Sequence, residues 1–143
     1  MTPDEPALEI TFRGPAEPAS LKQVHGLLAR LWASDPGVTP LDRMLFSTAV
    51  AEVATNIIKH GGPGVRTDMV LTLRIDSTQV EASFADDGVA VESIAPDEPP
   101  PDGLSESGRG LEIARASLDE FTYQRAGESN RWHLVRRRSA PTC

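Results

Sequence analysis

The chain has 143 residues, 39% of them hydrophobic, which is material for one two-layer core and not for two. Its net charge of -7 argues against nucleic acid as a direct partner, because phosphate binding needs a basic surface that releases counterions. Cys143 is the single cysteine, so neither a disulfide framework nor a cysteine-based metal centre is available.

The opening Met1-Thr2-Pro3-Asp4-Glu5-Pro6 is acidic and broken by proline, unlike a signal peptide, and no apolar run is long enough to span a bilayer. A cytoplasmic chain without membrane contact is expected, with one domain over 1–143 and flexible ends at 1–7 and 138–143. Leu8, Ile10 and Phe12 alternate with Glu9, Thr11 and Arg13 before Gly14-Pro15, which predicts an edge strand. From Pro18 to about Trp32, Leu21, Val24, Leu28 and Leu31 recur at helical spacing, and Asp35-Pro36-Gly37 ends the run. His25 lies between these apolar positions. As a phosphoacceptor it would need a helical dimer around it, so it reads as a surface histidine.

Thr39, as N-cap, and Pro40, at the first helical position, open a second helix. Phe46, Val50, Val53 and Ile57 form its core stripe, while Leu45, Ala49, Glu52 and Asn56 form a neighbouring stripe that starts apolar and turns polar. Gly61 offers the stop one turn later. A carboxylate and a carboxamide are thus expected to project together from the rim of the core, where water is scarce. A lone Glu in such a place is ordinarily a solvated helix edge; the rest of the chain decides otherwise.

After Gly61-Gly62-Pro63-Gly64 the period becomes two: Met69, Leu71, Leu73 and Ile75 alternate with Val70, Thr72 and Arg74, and Asp76-Ser77-Thr78-Gln79 supplies a hairpin turn. The return strand carries Val80, Ala82 and Phe84 on one face, and that parity continues to Asp86, which should point inward while Asp87 points outward. An inward carboxylate is costly unless something hydrogen-bonds it, so Asp86 is a ligand candidate. Read alone, Asp86-Asp87-Gly88 would be an ordinary turn.

From Val89 to Ser107 the chain is rich in proline and acid and has no period. The segment after it is too short to fold alone, so 89–107 reads as a lid within one domain, not as a linker. Gly108-Arg109-Gly110-Leu111 then opens a helix carrying Leu111, Ala114 and Leu118, where exposed amides and the helix dipole suit phosphate oxygens. Phe121 and Tyr123 pair with Trp132 and Leu134 through a turn at Ala126-Gly127-Glu128-Ser129-Asn130. Arg136-Arg137-Arg138 reads as a solubilising basic end. The element order predicts an α+β fold: a two-layer α/β sandwich, its mixed sheet mostly antiparallel, with helices on one face.

Glu52-x-x-x-Asn56, Asp86-x-Gly88 and Gly108-x-Gly110 together resemble the N, G1 and G2 boxes of the histidine-kinase-like ATPase superfamily, with its Bergerat ATP-binding fold, over about Leu8 to Arg136. The wording from Ala49 to His60 and Leu118-Asp119-Glu120-Phe121 after the second glycine box look most like the anti-sigma factor serine kinases. The resemblance implies ATP and Mg²⁺ as cofactors, Asn56 as the magnesium ligand, and Glu52 as the base that takes the proton of the attacking serine. It further implies Asp86 on the adenine amino group, Gly88 giving the base close approach, and Gly108 and Gly110 offering amides to the phosphates. Lys59 and Arg109 are the nearest cations in sequence that could neutralise phosphate.

The partners it implies are a sigma factor and an anti-anti-sigma protein of the STAS type, with a homodimer possible. One departure stands out: Gly88 to Ser107 holds no Lys or Arg, and Glu106 stands where many relatives carry a basic lid residue. Phosphoryl transfer depends on cationic stabilisation, so a nucleotide-binding module that sequesters its partner without phosphorylating it is the second reading. A detached histidine-kinase catalytic domain and a gyrase-type ATPase rank below both.

Overall fold

A computed structural model of the chain describes residues 8–60, 67–89 and 106–139, without the side chains of 60 and 106–109. Most of the expected lid, the glycine run after the second helix and the extreme ends lie outside the described residues. The elements run β1 (Leu8–Pro15), α1 (Ser20–Ser34), α2 (Pro40–His60), β2 (Asp68–Ile75), β3 (Gln79–Asp86), α3 (Glu106–Ala116), β4 (Glu120–Ala126) and β5 (Ser129–Arg137). The five strands form one sheet in the order β1-β2-β3-β5-β4, and every pairing among the described residues is antiparallel.

The period-two pattern sets the sheet's buried face. Met69, Leu71, Leu73 and Ile75 of β2 lie opposite Asp86, Phe84, Ala82 and Val80 of β3, and all eight are buried. Ile10, Trp132 and Leu134 extend that face through β1 and β5. β1 is an edge strand, as expected from Leu8 to Arg13. Two turns fix the hairpin registers. Asp76 Oδ1 accepts from the backbone N–H of Thr78 and Gln79, and Gly127, at φ 62°, takes the first central position of the β4–β5 turn, as a type II′ turn requires.

Against this face lies α2, whose Phe46, Val50, Val53 and Ile57 are all buried. The Thr39 hydroxyl accepts from the Asp42 N–H at 3.2 Å, so the N-cap is where the sequence puts it. α1 joins α2 edge-on through Trp32 and Phe46, 5.9 Å between ring centroids, and Trp32 Nε1 donates to Ser47 Oγ at 3.0 Å. α3 packs along α2 on its other side.

Two expectations need correcting. α3 starts at Glu106, so the last two residues of the expected lid belong to the helix and the glycines, expected to open it, are its third and fifth residues; Leu118 falls beyond its end, though still packed on the core. Arg136 to Arg138 is not a loose solubilising end. Arg136 Nε donates to Asp42 Oδ1 at 2.9 Å and its Nη1 to the Ser117 carbonyl at 2.9 Å, while Arg138 Nη1 reaches Asp35 Oδ2 at 2.8 Å. Asp42 is wholly buried, and a carboxylate there needs a cation; that demand, invisible along the chain, recruits Arg136.

Candidate functional site

The site begins with the parity of β3. Its last residue, Asp86, is 5% exposed, and Asp87 lies on the exposed side, where it accepts from the Asp68 N–H at 2.8 Å. Three donors hold the Asp86 carboxylate. Oδ1 accepts from the Gly88 N–H and from Asn130 Nδ2, each at 2.9 Å, and Oδ2 accepts from Trp132 Nε1 at 3.0 Å. Oδ1 has both lone pairs engaged; Oδ2 retains one acceptor position. A buried acceptor of fixed orientation with one open position can read a donor such as an amino group.

Asn130 and Trp132 read from the sequence as a turn residue and a residue of the return strand. Their second role comes from the β3–β5 register, which sets Asp86 opposite Asn130 and Phe84 opposite Trp132. Asn130 is 2% exposed and ties several groups together: Nδ2 also donates to the Val89 carbonyl at 2.9 Å, and Oδ1 accepts from Tyr123 Oη and from Arg125 Nη1. Arg125 Nη1 donates to the Gly88 carbonyl at 2.6 Å. The signal for this cluster was long-range pairing, which no local pattern carries.

Asn56 approaches from α2. It is 3% exposed, and among the described residues neither Oδ1 nor Nδ2 has a hydrogen-bond partner, although Asn56 lines one cleft with Ile57, Asp86, Gly88, Val89, Asn130 and Trp132. An unmet buried polar group costs about 1–3 kcal/mol, and a core Leu would avoid it. Asn56 is thus a polar group held ready for something the described residues do not supply.

Glu52, one turn earlier on the same stripe, is partly exposed and its carboxylate lies over Gly110 of α3. A Cβ built on Gly110 would overlap Glu52 Oε2 and come within 3.3 Å of Cδ. Gly110 therefore makes room for the carboxylate. It is the fifth residue of α3, and only the first four N–H groups of a helix lack intrahelical partners, so the helix itself leaves the Gly108 amide unpaired and pairs that of Gly110. Lys59 is exposed on the last turn of α2, and the Arg109 side chain lies outside the described residues. The structure thus brings Asn56, Asp86 and Gly88 into one cleft and sets Glu52 one helical turn along α2, against α3.

This is the architecture of a nucleotide-binding α+β sandwich, and comparison with known proteins places it further. Residues 14–135 match the family model of the histidine kinase-like ATPase domain, and the chain belongs to that family. The chain is similar in structure to the RsbU and RsbW domains of Rv1364c from Mycobacterium tuberculosis, at 20% identity and a TM-score of 0.68 over 94% of this chain. It spans 33% of that longer chain. It is also similar to the catalytic domain of histidine kinase ThkA, at 10% identity and a TM-score of 0.53, over 90% of this chain and 97% of that one. Histidine kinase AdeS of Acinetobacter baumannii gives 13% identity and a TM-score of 0.52, over 90% and 68%. No curated protein matches by sequence.

Membership of an ATPase family implies ATP, ordinarily with Mg²⁺. The residues fit both: Asn56 offers an unpartnered amide oxygen, the hard donor that Mg²⁺ takes, and Asp86 offers its open acceptor position to a base amino group. No helix among the described residues is long and apolar enough to cross a membrane.

Proposed function

We propose that this protein is an ATP-dependent protein serine kinase acting as a cytoplasmic anti-sigma factor, which binds a sigma factor and phosphorylates a serine of a STAS-type partner. One observation carries the reading: Asn56 is buried with both amide atoms unmet, in the cleft that holds Asp86 and one helical turn from Glu52. Mg-ATP supplies the transferable phosphoryl group. Asn56 is the magnesium ligand, Asp86 Oδ2 accepts from the adenine amino group, and Gly88 lets the base approach. Glu52 takes the proton of the incoming serine hydroxyl. The first-turn amide of Gly108 and the cations of Lys59 and Arg109 serve the phosphates. The wording of α2 from Ala49 to His60 favours the anti-sigma kinases over the histidine kinases.

The acidic stretch from Gly88 to Ser107 favours one alternative, a nucleotide-gated module that sequesters its partner without phosphorylating it. Labelled ATP and a candidate STAS partner separate the two. Glu52→Gln should bind Mg-ATP as the unmodified chain does and transfer phosphate at least roughly a hundredfold more slowly. If the unmodified chain binds ATP tightly and phosphorylates no such partner, the sequestering module replaces the kinase.

A further inference from the structure

Alternation along β4 turns Phe121 and Tyr123 toward the core, where both meet the Trp132 ring, and the same parity carries on to Arg125. β4 is an edge strand and Arg125 is exposed, so its guanidinium has water within reach. It bonds protein groups instead. Nε donates to the Gly127 carbonyl at 3.1 Å, while Nη1 donates to the Gly88 carbonyl at 2.6 Å and to Asn130 Oδ1 at 3.1 Å. Among the described residues no carboxylate pairs with it.

The register explains what this fork holds. Arg125 pairs with Asn130 and Asn130 with Asp86, so a cation that can only donate and a carboxylate that can only accept stand in one row with an amide between them. Asn130 bridges them, taking from Arg125 at Oδ1 and giving to Asp86 from Nδ2. Beyond this row the wall of the cleft is Gly88, which has no side chain by which to be held. Its carbonyl is reached by Asn130 Nδ2 only at 3.3 Å, so the charged bond from Arg125 is the closer tie. The other prong of the fork ends on Gly127, whose φ of 62° fixes the β4–β5 turn.

We infer that Arg125 is a positioning residue for the nucleotide: it ties the β4–β5 turn to the Gly88 carbonyl and so fixes one wall of the cleft, without lining the cleft itself. This rests on the nucleotide reading above and adds a residue to it from outside the cleft. The shape of the guanidinium matters here more than its charge. A planar fork spans two carbonyls on different segments, whereas a lysine ammonium carries the same charge as a point donor and cannot hold both in one fixed geometry. A cation that merely attracted the phosphates would act through charge alone, and its effect would fade as salt is raised.

Calorimetric titration of the whole chain with Mg-ATP, at low and at high salt, separates these cases in the variants Arg125→Lys and Arg125→Gln. Both should bind ATP roughly 5- to 10-fold more weakly than the unmodified chain, by the same factor at either salt concentration. Their melting temperatures without nucleotide should be nearly unchanged, because the side chain is exposed. If Arg125→Lys binds like the unmodified chain while Arg125→Gln loses affinity only at low salt, the cation acts by attraction and the positioning role is overturned. Equal ATP affinity of all three proteins, with or without a lower melting temperature in the variants, also overturns it, and both results leave the nucleotide reading standing. An unmodified chain with no affinity for ATP removes both.

Discussion

Asp86 and Asp87 are chemically identical neighbours with opposite surroundings, because successive strand residues face opposite sides of a sheet. Asp86 accepts from Gly88, Asn130 and Trp132; Asp87 accepts from a backbone N–H at the exposed rim. Asp86→Asn would turn an amide donor toward one of those donors. Set against Trp132 Nε1, it leaves a buried indole N–H unpaired, which costs about 1–3 kcal/mol. Asp87→Asn keeps an acceptor for its single bond and should change stability by less than about 0.5 kcal/mol. Urea unfolding of the two variants checks this pair. The inward parity of Asp86 was legible from Val80, Ala82 and Phe84, whereas its partners were not, since Asn130 and Trp132 arrive through a strand more than forty residues later.

At the scale of elements, α2 and α3 are fitted to each other at Gly110, where any Cβ would collide with the Glu52 carboxylate. The two glycines of α3 were legible as a signal, but their division of labour was not: the helix begins at Glu106, so one lies among the free amides and the other lies under α2. Gly110→Ala should displace the flexible end of Glu52 at small cost, because alanine in a helix interior recovers about 0.5–1 kcal/mol over glycine. Under the kinase reading, phosphate transfer should then fall roughly tenfold or more through misplacement of the base, with the melting temperature nearly unchanged. Transfer at the unmodified rate would separate Glu52 from the chemistry.

At the scale of the whole molecule, the end of the chain is sewn to its first half by carboxylates. Burial would raise Asp42, but the Ser139 N–H, Arg136, Thr39 and the Ser139 hydroxyl outweigh it and hold the carboxyl below its ordinary value of 3.8. Arg138 lowers Asp35, and the bonds of the turn around Thr78 and Gln79 lower Asp76 against the opposing effect of burial. Groups depressed on folding contribute stability that is present above the unfolded value and lost as pH falls through the folded one. The urea midpoint should therefore stay level from neutral pH to about 5 and drop below about 4. Asp42→Ala leaves the half-buried Arg136 without its carboxylate and should cost about 3 kcal/mol at pH 7. Its acid limb should be shallower by up to about 1.4 kcal/mol per pH unit, because one proton-linked group is gone. An acid limb as steep as the unmodified chain's would refute the assignment to Asp42.

By itself the sequence determined whatever depends on period and on local capping. The stripe of α2, the alternation of β2 and β3, the Thr39 cap and the paired hairpins follow from side-chain spacing along one segment, and they suffice for the α+β sandwich and for the placement of Glu52, Asn56 and Asp86. Tertiary structure alone decided what depends on which segments meet. The order β1-β2-β3-β5-β4 puts β5 beside β3, and only that adjacency gives Asp86 its two side-chain donors and Gly88 a brace from Arg125. The same holds for Asp42, whose burial makes an anchor of Arg136 and Ser139, and for Asn56, whose amide has no partner among the described residues. Hydrogen bonding of buried polar groups is settled by the summed surroundings of each atom, and those are assembled from distant parts of the chain.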